Sequence, residues 1–277
     1  MPDRDAGGIR TWHARVHIYE LDSLGHVNNA NYVPYLQQAT VEAWPAAVNW
    51  KLSHLSMEYV VPALHGAELA IHAWVEDGVS PTGFSLGYAI ERSDDHQIIL
   101  RAKAKLMIPS SEAPIQDSVL QTVPDLPRDY RLKPARLAEE MPGGRQFHWQ
   151  HRVRGYETGR DGEVSAAQVL RWTEEARARA ALEVGWTQQR MRDADFVGVV
   201  TRHEFEFGCL PRAGDEVEVL SRIYEVRRVR GTWRHEIVCN GQLAAAAFVS
   251  GGFLNGAGLP HPPPPELIAG LLGRASG

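Results

Sequence analysis

Asp22-Ser23-Leu24-Gly25-His26-Val27-Asn28-Asn29-Ala30-Asn31-Tyr32 is the stretch around which the rest of this chain is organised. In front of it, the run Trp12-His13-Ala14-Arg15-Val16-His17-Ile18-Tyr19 alternates with the period of a strand. Behind it, a helical pattern runs from about Ala30 to Val48, with Pro34 tolerated in the first turn. An acid, a histidine and two asparagines therefore stand on a turn that feeds a helix N-terminus. Free backbone N–H groups and the positive end of the helix dipole face outward at such a place. A carbonyl oxygen that develops negative charge can be held there, beside a carboxylate able to attack or to activate water.

The residues Asp22, Gly25, His26, Val27, Asn28, Asn29, Ala30 and Tyr32 resemble the signature of hotdog-fold thioesterases, above all the 4-hydroxybenzoyl-CoA thioesterase family. The segment is also similar to the D-x-N-x-H-V-N-N of plant acyl-ACP thioesterases, from which it departs by Leu24 in place of Asn. The resemblance implies an α+β fold, one long helix wrapped by an antiparallel sheet. It implies hydrolysis of acyl-CoA or acyl carrier protein thioesters, with Asp22 as nucleophile or general base and the Asn29 backbone N–H as oxyanion donor. No metal and no redox cofactor are required. His26 either steadies Asp22 or binds substrate, or is a structural histidine bonded to a backbone carbonyl. Asn28 and Tyr32 are candidate substrate contacts, although Asn28 also suits plain turn geometry. Asp22 has its own structural reading, as a turn or helix cap.

Composition sets the frame. A length of 277 residues accommodates two domains, and 44% hydrophobic residues is ordinary for a globular chain. The formal charge of −5 gives no sign of nucleic-acid binding. Cys209 and Cys239 offer neither a C-x-x-C zinc pattern nor a disulfide framework, which fits a reducing compartment. The start, Met-Pro-Asp-Arg-Asp-Ala-Gly-Gly, lacks the apolar core of a secretory signal, and no apolar run is long enough to span a membrane. A soluble cytoplasmic protein, with no membrane partner, is the expectation.

Four further strands are expected after the helix, at Ser56 to Val61, Glu68 to Glu76, Phe84 to Arg92 and Ile98 to Met107. Residues 1–108 then form a first hotdog unit. Residues 109–145 read as a Pro-rich linker crossing the surface of that unit, with Leu132, Leu137 and Met141 to pin it.

The pattern then begins again. Val16-x-x-Tyr19-Glu20 returns 137 residues later as Val153-x-x-Tyr156-Glu157, and Gly25-x-Val27 as Gly162-x-Val164. Beyond the helix the spacing becomes 148, as between Gly66 and Gly214, so 11 residues are inserted between the helix and the following strands. This internal repeat makes residues 146–255 a second, degenerate hotdog unit, the two together imitating a homodimer within one chain. Assembly of such two-unit chains into a homodimer stays open. The second unit is expected to have a helix over Ser165 to Glu183 and strands at Val199 to Phe207, Glu216 to Val226, Thr232 to Cys239 and Leu243 to Leu254. Residues 256–277 read as a loose Pro-rich tail.

The repeat keeps the scaffold and loses the acid, since Asp22 aligns with Gly159, His26 with Glu163, Asn28 with Ser165 and Asn29 with Ala166. Glu174, eight residues beyond Ala166, is a second candidate acid, because another hotdog thioesterase group resembles this layout; its structural reading is a buried ion-pair partner. Arg227, Arg228 and Arg230 form a basic hairpin suited to coenzyme A phosphates or the acidic face of a carrier protein, or else to edge protection. Two rivals to the hydrolase remain. A hotdog dehydratase or hydratase expects His five residues after Asp, whereas His26 follows Asp22 by four. A non-catalytic acyl-binding module is the other.

Overall fold

The computed structural model describes residues 3–4, 8–45, 49–80, 83–108, 123, 126–136, 140–141 and 144–274. The chain divides into two compact units, Met1–Pro134 and Ala135–Gly277.

The first unit contains β1 (Asp3–Arg4), β2 (Arg10–Arg15), α1 (Tyr32–Ala43), β3 (Lys51–Tyr59), β4 (Glu68–Ser80), β5 (Gly83–Arg92) and β6 (Ile98–Met107). Its strands run in the order β1-β2-β4-β5-β6-β3, antiparallel throughout. α1 lies against β2 and β4. It buries Tyr32, Val33, Leu36, Ala39, Thr40 and Ala43, the three-and-four spacing of one helix face. Thr40 also bonds to the β5 residue Tyr88, Oγ1 to Oη at 2.7 Å, which fixes the helix over the sheet. Across from Trp74, Gly87 is required by space: a Cβ there would meet the indole at 2.3 Å.

Several boundaries differ from the sequence reading: β3 runs over Lys51–Tyr59 where Ser56 to Val61 is expected, and β4 continues to Ser80 beyond Glu76. The first strand ends at Arg15, and the chain turns into a short 3-10 helix, Ile18–Glu20, although the alternation continues. The cause is local, since the Glu20 carboxylate captures the His17 N–H at 2.6 Å. The helix starts at Tyr32, after a 3-10 turn at Asn29–Asn31, and stops at Ala43 rather than near Val48. Pro45 disfavours a helical Trp44, and residues 46–48 lie outside the described residues.

The second unit contains β7 (Gln146–Arg152), α2 (Ala166–Glu183), α3 (Gln188–Asp193), β8 (Val197–Phe207), β9 (Glu216–Arg227), β10 (Arg230–Cys239), β11 (Gln242–Leu254) and α4 (Pro265–Leu271). Its strand order is β8-β11-β10-β9-β7, again antiparallel. The Ser165 hydroxyl caps α2 by accepting the Gln168 N–H at 3.2 Å. The insertion falls between Ala180 and β8, a stretch that contains the end of α2 and the whole of α3. β10 and β11 are joined by Asn240-Gly241, both at positive φ (51° and 75°), as a two-residue hairpin turn requires.

The described part of the Pro-rich tail is not loose. In α4, Leu267 and Leu271, with Leu272 after it, are buried among Phe147, Ala181, Trp186, Phe196 and Ile223, so the tail completes the apolar core of its unit. Most of the Pro-rich linker lies outside the described residues. Where it is described, Tyr130 stacks on His72 with ring centroids 5.0 Å apart and donates to Glu91 at 3.1 Å, so this part does run over the first unit. Leu132 is half-buried and Leu137 is outside the described residues. Met141 belongs to the second unit instead: its N–H donates to the Tyr224 carbonyl at 2.9 Å and its sulfur accepts the Val226 N–H at 3.2 Å.

Candidate functional site

The turn at Asp22 is built by its own backbone. The Asp22 N–H donates to the His26 carbonyl at 2.7 Å and the Gly25 N–H to the Asp22 carbonyl at 3.0 Å. Gly25 sits at φ +77°, a conformation that any side chain would strain. The Asn28 N–H reaches back to the Glu20 carbonyl at 2.9 Å, and the Asn28 side chain accepts the Ala30 N–H at 2.9 Å. Asn28 is therefore the cap that opens the 3-10 turn leading into α1.

The second unit repeats this backbone bond for bond. Gly159 N–H donates to Glu163 at 2.7 Å, Gly162 N–H to Gly159 at 3.0 Å and Ser165 N–H to Glu157 at 3.3 Å, with Gly162 at φ +77°. The side chains differ. In the first turn, Asp22 Oδ1 accepts the N–H groups of Leu24 (2.8 Å) and His26 (3.2 Å). In the second, Asp161 Oδ1 accepts the Glu163 N–H at 3.1 Å, and Gly159 carries no carboxylate. Closing the turn thus needs an acid, but not at the position of Asp22.

At the first turn, Asp22 and His26 are both half-buried. Among the described residues, Asp22 Oδ2 and the His26 imidazole make no hydrogen bond. Asn29 occupies the first position of the 3-10 turn, where helix geometry gives its N–H no acceptor. Its carbonyl accepts the Tyr59 hydroxyl at 3.4 Å. Tyr32 is buried, its hydroxyl accepts the Ala63 N–H at 3.4 Å, and burial raises its pKa well above the ordinary phenol value. Asp22, His26, Asn28, Asn29 and Tyr32 thus share one turn and the helix start it feeds.

The other candidates lie in the second unit. Glu174 is half-buried on α2 and has partners. Arg227 and Arg230 face each other across the exposed β9–β10 turn, and Arg227 is paired with Glu225.

Sequence reasoning did not single out Glu157. It was legible only as part of the repeat, matching Glu20. Its carboxylate is 5% exposed and accepts hydrogen bonds from the Arg154 N–H (2.7 Å), His151 Nε2 (2.8 Å), Gln168 Nε2 (3.1 Å) and Trp172 Nε1 (3.0 Å). Burial pushes its pKa up, but these donors outweigh burial and hold it below the ordinary carboxylate value. Beside it opens a cleft of about 660 Å³ between β7 and α2, lined by none of Glu174, Arg227, Arg228 and Arg230. A third polar group is internal: His203 and His235 are fully buried, with the Ser221 hydroxyl 2.8 Å from His235 Nδ1. Burial, then the nearby positive Arg177, pushes both imidazole pKa values well below the ordinary range. Among the described residues no cluster of His, Cys, Asp and Glu is arranged to hold a metal ion, and no helix is long and apolar enough to cross a membrane.

No protein-family model matches the chain, and no curated protein matches it significantly. Solved structures do. An acyl-ACP thioesterase from Bacteroides thetaiotaomicron superposes with a TM-score of 0.65 at 15% identity, over 88% of this chain and 97% of that one. A 12:0-ACP thioesterase from Umbellularia californica gives 0.64 at 10% identity, over 88% and 96%. At such identities the likeness carries the fold, and by its fold this chain is two hotdog units in tandem.

Proposed function

We propose that the chain hydrolyses acyl thioesters, with Asp22 as the catalytic carboxylate. The observation that carries this reading is the twice-built turn. Both copies satisfy the same backbone, yet only the first holds a carboxylate at position 22, with an oxygen left over and an imidazole four residues on. A residue needed only for the turn would not have to stand there, because Asp161 meets that need from two positions further along. The structural neighbours named as acyl-ACP and 12:0-ACP thioesterases support the same class of reaction.

In this reading the thioester carbonyl oxygen lies against the Asn29 N–H, where the start of the helix adds its dipole. Oδ1 is held by the Leu24 and His26 N–H groups, which orients the carboxylate. Oδ2 then attacks the carbonyl carbon or takes a proton from an attacking water. The tetrahedral oxyanion is stabilised by the Asn29 N–H, and its collapse expels the thiolate; after attack by water this leaves the carboxylic acid directly, and after attack by Oδ2 it leaves a mixed anhydride on Asp22 that water hydrolyses to the acid. His26 steadies the acid or contacts substrate. Arg227, Arg228 and Arg230 contact the phosphates of coenzyme A or the acidic face of a carrier protein. The test is release of free thiol by the purified chain from a panel of acyl-CoA and acyl carrier protein thioesters. Thiol release that persists unchanged in Asp22→Asn would remove Asp22 from this role, and no release from any substrate would remove the hydrolase reading.

A further inference from the structure

The cleft between β7 and α2 lies in the unit that lacks the catalytic aspartate, and the proposed reaction makes no use of it. We infer that it binds a phosphorylated small molecule of nucleotide size.

Four arginines line the cleft: Arg152, Arg154, Arg171 and Arg179. Two acids line it as well, Glu157 and Glu175, and both are engaged. Glu157 is buried and surrounded by donors. Glu175 pairs with Arg179 at 2.6 Å. Four guanidinium groups against two carboxylates give the lining a net positive charge facing a ligand, with Arg154 also donating to the Tyr156 hydroxyl at 2.7 Å. The arginines are exposed, and exposed ion pairs such as Arg152 with Glu216 at 3.7 Å are weak, so a phosphate exchanges them at little cost. Guanidinium forks match phosphate oxygens in pairs. The volume falls within the range of about 300–1,000 Å³ typical of small-molecule sites. Trp149, over whose ring the Arg179 guanidinium stacks at 5.0 Å, adds an aromatic wall. The donors gathered by Glu157 hold His151, Gln168 and Trp172 in place, which makes the floor rigid before any ligand arrives.

The internal repeat supplies the control. The first-unit counterparts of the four arginines, 137 residues earlier, are Arg15, His17, Pro34 and Glu42. That unit also covers the edge of its corresponding strand, since β1 pairs along β2. Among the described residues of the second unit, β7 pairs with β9 alone. The scaffold therefore does not demand this basic cleft.

The experiment is calorimetric titration of the full chain with adenosine diphosphate, with inorganic phosphate and adenosine as separate probes. ADP is expected to bind more tightly than either. Its affinity should weaken about tenfold in Arg154→Ala and in Arg171→Ala, the scale of one charge-assisted contact, and further in Arg171→Glu. Asp22→Asn should leave ADP affinity unchanged, which separates this cleft from the proposed catalytic turn. Both arginines are exposed, so the variants should keep the parent unfolding midpoint. No ADP binding at low salt, or binding indifferent to Arg154 and Arg171, would overturn the inference. So would ADP binding no tighter than inorganic phosphate, or arginine-dependent binding of an acidic protein without any binding of ADP.

Discussion

Asp22 and Asp161 perform one backbone task from different positions of the same turn: each accepts the N–H of the residue that closes it, His26 at 3.2 Å and Glu163 at 3.1 Å. Asp22 reaches that N–H from four residues away and Asp161 from two. Capping can therefore be separated from catalysis by substitution. In Asp22→Asn the side-chain oxygen still accepts from Leu24 and His26, but cannot attack or take a proton. kcat should fall by roughly 100-fold or more, the contribution of a general base, while stability shifts by no more than about 1 kcal/mol. Thiol-release kinetics and urea unfolding of the same preparation measure both. Turnover near the parent rate would make Asp22 only a cap.

Asn29→Ala should be far milder, because the proposed donor is the backbone N–H and survives the change. Proline at 29 removes that N–H, and the fixed φ of proline suits the first position of a helical turn. Asn29→Pro should therefore cost about 10²-fold in kcat, the loss of an oxyanion donor. Equal rates for the alanine and proline variants would exclude the Asn29 N–H from the mechanism.

Glu174→Gln should leave most activity intact. Glu174 has partners within the fold and lies in the unit whose turn carries Gly159 at the place of Asp22. Loss of turnover with a normal unfolding curve would move the chemistry to α2.

Alanine at Arg227, Arg228 and Arg230 should raise KM more than it lowers kcat, since a phosphate contact is made equally in the ground and transition states. The effect should shrink as salt rises, because exposed charges are screened. An unchanged KM would leave this turn to edge protection.

His203 and His235 set a pH limit on stability. Folded, both stay neutral well below their ordinary titration range, from burial first and then the Arg177 charge. Unfolded, each takes up a proton near pH 6.5. The unfolded chain therefore binds more protons as pH falls through that value. Stability should be fully present above about pH 7 and decline below about pH 6.5, by up to roughly 1.4 kcal/mol per pH unit for each histidine. Urea midpoints at pH 7, 6 and 5 measure the slope. His235→Gln should reduce it, and an unchanged slope would contradict the assignment.

The sequence by itself determined the tandem repeat, two helices, nearly every strand of both units and the asymmetry between Asp22 and Gly159. These rest on local signals: period-2 alternation, helical spacing, glycines at fixed offsets and a turn whose bonds close within five residues. What escaped it depends on partners far apart in the chain. Leu267, Leu271 and Leu272 read as a tail until Phe147, Trp186 and Ile223 surround them. Glu157 read as scaffold until His151 from β7 and Gln168 and Trp172 from α2 converge on it. His203 and His235 are unremarkable in their strands, and only the folded core buries both completely and sets them near Arg177. Burial and convergent hydrogen bonding belong to the folded core, so the chemistry of these groups was decided by tertiary structure alone.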